Sequence, residues 1–429
     1  MFTTIRNAFK NPDLRKRLLF TIVMLVIFRF GSAIIVPFVS GSALKELVGD
    51  GNNFFGLLNT FSGGAFANAT IFALSVSPYI TAQIVIQLLT VASPPLERIA
   101  KEGEAGRRKL DRITRFVMVG MSLLQSFGYY TLLVSQNAIA SEYLKGGMKY
   151  FVMVVIMFVF TAGACAVVWI GDQITEKGLG NGISIILFAG ILAGLPSNID
   201  ILINKFMEGG INYVIVPIIL LVFAAMIVFI IIMTDAERRI PVQYAKRVVG
   251  RKMYGGQSSF VPIKVNLSGV MPIIFASSLL SIPSTIGAFA NPAPGGFWYN
   301  VLYWLSPSHW FYGILYFILI IGFNFFYVTM QYNPIEMANN IKNNNGAIPG
   351  IRPGKPTSTF ISKVISKIVL IGALFLGIIA VFPIVFNAIF SIPVALGGTS
   401  IIIVVGVALD TMKQLESQLL MRHHKGFLE

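Results

Sequence analysis

The chain offers few groups that could hold a metal, carry a proton or attack a substrate. It has three histidines, one cysteine and 18 acidic residues among 429. His309 stands at the start of an apolar run, and His423 and His424 lie in the tail. Cys165 is alone, so neither an internal disulfide nor a thiolate metal cluster is expected. An intramembrane protease or metalloenzyme needs a nucleophile–base pair or a ligand cluster, and the apolar runs contain neither. Arg29 is the one charge inside such a run, and Asp410 lies at the end of another. Ion-coupled transporters and proton pumps usually carry Asp, Glu or His at membrane depth. Arg29 reads instead as a residue satisfied by backbone carbonyls or by snorkelling. The stretch GLGNG, residues 178–182, has the glycines of a phosphate loop but lacks its Lys-Ser/Thr ending. It reads as a tight helix start with Asn181 near an N-cap. No catalysis, metal or cofactor is expected.

The elements that surround these residues are helices made for lipid. Hydrophobic residues form 55% of the chain and charged ones 12%, against roughly a quarter charged in soluble domains. Mean hydropathy is +0.76. Apolar runs recur at the length of about 20 residues needed to cross a bilayer. Ten spans are predicted, at about 18–37, 71–91, 113–134, 150–170, 181–197, 211–233, 268–289, 309–330, 365–387 and 393–411. The expected fold class is an all-α membrane protein with a retained first span. Under that division the alternate loops hold 28 of the 33 Lys and Arg residues, and the remaining loops hold Lys45, Lys145, Lys149 and Lys205. The positive-inside rule therefore puts both termini in the cytoplasm. Ten spans divide into two fives, residues 1–200 and 201–429. An odd number per half inverts one half relative to the other and puts a working site between them.

Three segments do not fit plain spans. NTFSGGAFANAT, residues 59–70, is too short and too rich in Gly, Asn, Ser and Thr to cross a bilayer, yet no charge occurs between residues 51 and 96. Two long loops on the basic side, about 234–267 and 331–364, exceed what topology needs. The first carries Arg238, Arg239, Lys246, Arg247, Arg251 and Lys252 among β-branched and aromatic residues. In the second, Pro349, Pro353 and Pro356 restrict the backbone while Gly350 and Gly354 permit turns, which would hold Arg352 on an exposed tip beside Lys355. Long, turn-structured loops of this kind suit docking of a cytosolic particle or motor, and ribosomal RNA is one partner their charge would suit.

Several blocks, in order along essentially the whole chain, resemble the SecY family of protein-translocase channels. They are SGGAFANATIFALSVSPYITAQIVIQLL, GEAGRRKLDRITR, GLGNGISIILFAGILAGLP, ERRIPVQYAKR with QSSFVPIKVNLSGVMPIIFASSLL, NPIEMANNIKNNNGAIPGIRPGKPT and GGTSIIIVVGVALD. The resemblance implies ten transmembrane helices in two inverted five-helix halves around a central pore, with a re-entrant plug at about 55–70.

By motif, the resemblance puts a pore ring at Val76, Ile80, Leu187, Ile274 and Ile403. The plug would hold Asn59, Phe61, Gly63, Gly64 and Phe66. A lateral gate between spans two and seven would carry Gln87, Ser277 and Ser278, joined by weak interhelical hydrogen bonds. The implied partners are SecE and SecG, the SecA motor ATPase, the ribosome with its rRNA, signal peptides and unfolded preproteins, and membrane lipids. The implied function is passive passage of unfolded preproteins across a bacterial plasma membrane, with lateral release of apolar segments. The rival reading is a secondary transporter of a small solute.

Overall fold

In a computed structural model, the described residues are 6, 8–40, 44, 54–210, 212–244, 247–249, 252–254, 258–290, 296–305, 309–390 and 398–423. Fourteen helices account for most of them: α1 Pro12–Gly31, α2 Phe54–Phe61, α3 Ser77–Ala92, α4 Pro94–Lys101, α5 Glu104–Ser135, α6 Met148–Lys177, α7 Gly182–Met207, α8 Asn212–Asp235, α9 Met271–Ala290, α10 Phe297–Trp304, α11 Trp310–Gln331, α12 Pro334–Asn343, α13 Lys355–Phe390 and α14 Gly398–His423. Among the described residues seven helices are long and apolar enough to cross a membrane. An eighth is formed if α3 and α4, bent by 101° at the break, count as one. The bend falls at Ser93, where Pro94 and Pro95 supply no backbone N–H to continue the ladder. The chain is thus a mostly helical, multi-span membrane protein.

Helix ends and predicted span ends differ for a physical reason. Hydropathy marks the part of a helix that lipid can cover, while the helix itself continues into charged turns. Helix α1 therefore begins at Pro12, with the Asn11 side chain accepting from the Asp13 amide at 3.2 Å, and takes in the basic residues ahead of the apolar run. Helix α5 begins at Glu104, well before the apolar run it contains. Helix α7 runs through Pro196 to Met207 where the sequence reading ended a span at 197. The GLGNG reading holds: Asn181 caps α7 by accepting from the Ser184 amide at 3.2 Å.

Packing sorts the long helices into two groups. Helices α1, α3, α5, α6 and α7 pack in sequence-local pairs, α3 on α5, α5 on α6, α6 on α7 and α1 on α6. Helices α9, α11, α13 and α14, with α8, form the second group. The groups meet where α7 packs on α14 and α8, and where α5 touches α9. Polar side chains bind neighbours within each group. Gln125 Nε2 donates to Thr81 Oγ1 at 3.5 Å, and the Ser126 and Thr161 hydroxyls bond at 3.2 Å. In the second group Asn324 Nδ2 donates to the Val369 carbonyl at 2.9 Å, and Ser268 Oγ donates to Asn324 Oδ1.

The two long loops are not helical throughout, which amends the all-α expectation outside the spans. The first contains β1 Glu237–Tyr244, β2 Arg247–Val249, β3 Lys252–Tyr254 and β4 Ser258–Lys264. The second contributes β5, Gly346–Ala347. Strand β1 pairs antiparallel with β4, Ile240 opposite Val261, and with β5, Gln243 opposite Ala347. Ile240, Val242 and Ile263 from the first loop and Ile341 and Ile348 from the second share one buried cluster with Ile361, Ile365 and Val369 of α13. Both loops thus form one unit seated on the end of the second helix group.

Candidate functional site

Val76 and Ile80 sit at the start of α3, where Val76 occupies the N-cap position and Pro78 the first turn. Leu187 comes from α7, Ile274 from α9 and Ile403 from α14. These four helices belong to both packing groups, yet all five side chains are buried in a single apolar cluster. Val76 is 0% exposed and Ile403 1%. Aliphatic side chains of this kind have no donor, acceptor or charge, so they hold each other by burial alone. The five predicted ring residues are therefore brought together.

Directly against this cluster lies the irregular segment. Helix α2 ends at Phe61, whose ring packs on the cluster. The chain then turns through Gly63 and Gly64 with φ of +65° and +88°, a left-handed region that side chains disfavour. Asn59 organises the turn: its Oδ1 accepts from the Ala67 amide at 2.9 Å, and its carbonyl accepts from the Gly64 amide at 2.9 Å. Phe66, 2% exposed, faces away from the ring cluster into a second one. Its ring packs tilted by 40° against that of Tyr129 with centroids 4.6 Å apart, and the Tyr129 hydroxyl donates to the Phe66 carbonyl.

Two further contacts tie the segment down, and neither was singled out in the sequence as part of the site. Arg29 Nη1 donates to the Gly63 carbonyl at 2.7 Å. The cation in α1 is thus satisfied by a backbone carbonyl, as its isolation suggested, but the carbonyl belongs to the irregular segment. The second contact is with Gly190 of α7, where a Cβ would stand 2.3 Å from the Phe61 carbonyl oxygen. Backbone meets backbone there, so only glycine fits. The signal was present in FAGILAG, but glycine is common in membrane helices and does not announce its neighbour.

The predicted gate residues lie on α3 and α9. Ser277 Oγ donates to the Ile274 carbonyl of its own helix at 3.0 Å, not to α3. Gln87 Oε1 is buried with no hydrogen-bond partner among the described residues. Ser278 is half-buried on α9. The side-chain hydrogen bonds between helices described above lie within the two groups.

Of the loop cations, Arg238 and Arg239 are exposed on β1. Arg239 Nε donates to Glu237 at 2.7 Å, and its guanidinium lies 4.7 Å from the centroid of the Phe260 ring. Arg247 and Lys252 fall on the paired strands β2 and β3. Lys246 and Arg251 lie outside the described residues. Arg352 is exposed between Gly350 and Gly354, and its carbonyl accepts from the Thr357 hydroxyl at 2.9 Å, which holds the tip against the start of α13. Lys355 opens that helix and is also exposed.

Comparison with known proteins follows the same lines. A family profile described as SecY matches residues 70–412. A protein translocase subunit SecY of Halalkalibacterium halodurans is 44% identical, with both chains covered completely, and that of Streptomyces coelicolor is also 44% identical over both full lengths. Among solved structures, one described as a protein conducting channel aligns with TM-score 0.67 at 20% identity, covering 94% of this chain and 92% of that one. A SecY structure concerned with a plug domain that stabilises the closed state aligns with TM-score 0.65 at 19% identity, covering 94% and 92%. Sec61 in a canine ribosome–channel complex aligns with TM-score 0.63 at 18% identity, again covering 94% and 92%. The buried aliphatic cluster, the segment packed against it and the family match over residues 70–412 agree: this chain belongs to the SecY family of protein translocase subunits.

Proposed function

We propose that this chain is a passive protein-conducting channel. It passes unfolded preproteins between its two helix groups and releases apolar segments into lipid between α3 and α9. The observation that carries this reading is the convergence of Val76, Ile80, Leu187, Ile274 and Ile403, from four helices of both groups, into one dry cluster. A narrow apolar constriction sheds water and stops ions without a charged filter. It also has nothing with which to bind a passing chain. Residues 55–70 are the plug that rests on this ring, anchored by Arg29 and seated on Gly190.

The helix count behind this reading is ten, in two inverted fives: α1, α3, α5, α6 and α7, then α8, α9, α11, α13 and α14. Three of the ten, α1, α3 and α9, are not among the seven long apolar helices: α1 carries charges, α3 is short, and α9 counts as apolar only over Met271–Leu280. The boundary between halves belongs at the turn after Met207 rather than at 200, since α7 is continuous through that position. Both termini lie in the cytoplasm with the basic loops. SecE and SecG complete the complex, and SecA or a translating ribosome docks on the β1–β4–β5 unit and the Arg352 tip. The plasma membrane of a bacterium is the setting. A small-solute transporter finds no supporting observation. The test is reconstitution with SecE, SecG, SecA and ATP into sealed vesicles. Accumulation of protease-protected preprotein is expected; its absence in active preparations, or uptake of small solutes without preprotein, overturns the proposal.

A further inference from the structure

At the end of the molecule opposite the strand-bearing loops, the connection between α9 and α11 carries a concentration of aromatic rings. Trp298, Tyr299, Tyr303 and Trp304 are exposed on α10, and Trp310 and Phe311 are exposed at the start of α11. Three of the chain's four tryptophans are here, exposed by 65% at Trp298, 45% at Trp304 and 65% at Trp310. Tyr303, Trp304, Trp310 and Phe311 cluster around His309, and Trp298 and Tyr299 stand on the same short helix as Tyr303 and Trp304. Trp304 lies 4.5 Å from the His309 ring, 6.2 Å from Trp310 and 5.9 Å from Phe311, while Tyr303 lies 5.3 Å from His309. No Asp, Glu, Lys or Arg occurs from residue 265 to residue 335, so no ion pair with a charged side chain of this stretch can hold the patch.

Three environments could cover so many rings. Water is the poorest, because large apolar faces would stand in it. The acyl core is also poor, because the indole N–H groups, the tyrosine hydroxyls, exposed Asn300 and His309 would lose their polar partners. The boundary between headgroups and acyl chains suits both ends of such rings, and Trp and Tyr concentrate there. The patch is also continuous with surface that already faces lipid. It runs through Trp310 and Phe311 into Ile314 and Ile318, which are exposed along the apolar α11.

We propose that α10 and the Trp304–His309–Trp310 cluster lie in the headgroup region of the bilayer leaflet opposite the basic loops, and that this lipid contact anchors the outer end of α9. Helix α10 packs directly on α9, which contributes Ile274 to the apolar cluster. The anchor adds to the packing of α9 on α11 a contact from outside the protein, through rings and headgroups. The inference needs only that the chain spans a membrane; it does not depend on the channel reading.

The test uses the full complex carrying Trp169→Phe, which leaves only the three patch tryptophans in this chain, and any partner tryptophan is subtracted with the triple variant below. It is reconstituted into phosphatidylcholine vesicles whose acyl chains carry bromine either near the headgroup or near the chain end. Bromine near the headgroup, about 15 Å from the bilayer centre, is expected to quench the fluorescence at least twice as strongly as bromine near the chain end, with iodide in the water phase quenching weakly. Strong iodide quenching without bromine quenching would place the rings in water and overturn the proposal. Emission insensitive to both quenchers would place them under another subunit and overturn it equally. A Trp298→Phe, Trp304→Phe, Trp310→Phe triple variant in the same vesicles serves as the zero of the measurement.

Discussion

At the scale of single residues, the informative contacts are those between the irregular segment and the two helices beneath it. The bond from Arg29 to the Gly63 carbonyl has a charged donor, and such bonds contribute roughly 1.5–3 kcal/mol, less where the cation is exposed as here. Arg29→Leu is expected to keep α1 helical, because leucine is at home in an apolar helix, while freeing the plug. Single-channel recordings of the purified complex in planar bilayers should then show more frequent spontaneous openings than the parent; equal opening frequencies would remove Arg29 from the seal. Gly190 permits a sharper test because α7 contains its own control. A Cβ at Gly190 would meet the Phe61 carbonyl at 2.3 Å, whereas a Cβ at Gly194, about one turn on, meets nothing within 4 Å. Gly190→Ala forces backbone apart at a cost of ~1–3 kcal/mol and should raise ion leak, and Gly194→Ala should leave it unchanged. Matching leaks from the two variants would mean that the plug does not rest on α7. These partners were hidden in the sequence because both contacts join positions far apart in the chain, through backbone atoms that carry no residue-specific signature. That Val76, Ile80, Leu187, Ile274 and Ile403 share one buried cluster was foreseen only by resemblance, since an isolated Ile or Leu in a membrane helix is ordinary packing.

At the scale of elements, the apolar cores of the seven longest helices were readable and the loop pairing was not. A run of apolar residues reports directly on lipid, so the sequence located the cores of the long helices. It did not report where α7 would stop, because Pro196 looks like a terminus and membrane helices tolerate proline inside. Nor could local pattern reveal that β1 and β5, about a hundred residues apart, share a ladder. Their pairing turns two basic loops into one platform, on which Arg352 stands exposed with only its backbone carbonyl engaged by Thr357. Reversing its charge should therefore spare the fold. Arg352→Glu is expected to leave complex yield and melting temperature unchanged while reducing preprotein transport by more than ~tenfold, since a like charge at an interface costs several kcal/mol. Transport at the parent rate, measured with saturating motor and ATP, would remove the tip from the docking surface; a lowered melting temperature would assign it to the fold instead.

At the scale of the whole molecule, two helix groups meet across a shared apolar cluster, and the side-chain hydrogen bonds between helices described above lie within the groups. Side-chain hydrogen bonds join α3 to α5, α5 to α6 and α11 to α13. At the seam, Ser277 turns back to its own helix and Gln87 Oε1 has no partner among the described residues. Under the proposed function, apolar contact between the groups is contact that an apolar signal segment could replace in kind. The ring sits at this junction, with Val76, Ile80 and Leu187 from one group against Ile274 and Ile403 from the other. Its seal then depends on dryness rather than on any single side chain. Replacing Leu187 and Ile403 together by asparagine keeps the number of side-chain heavy atoms, with a smaller volume, and gives water two amides to bind, so the constriction should wet. Closed-state conductance is expected to rise in Leu187→Asn/Ile403→Asn well beyond either single variant, with preprotein transport retained because the path is no narrower. Conductance equal to the parent in the double variant, with the complex intact by size-exclusion chromatography, would show that ions are stopped elsewhere, and the ring would revert to ordinary core.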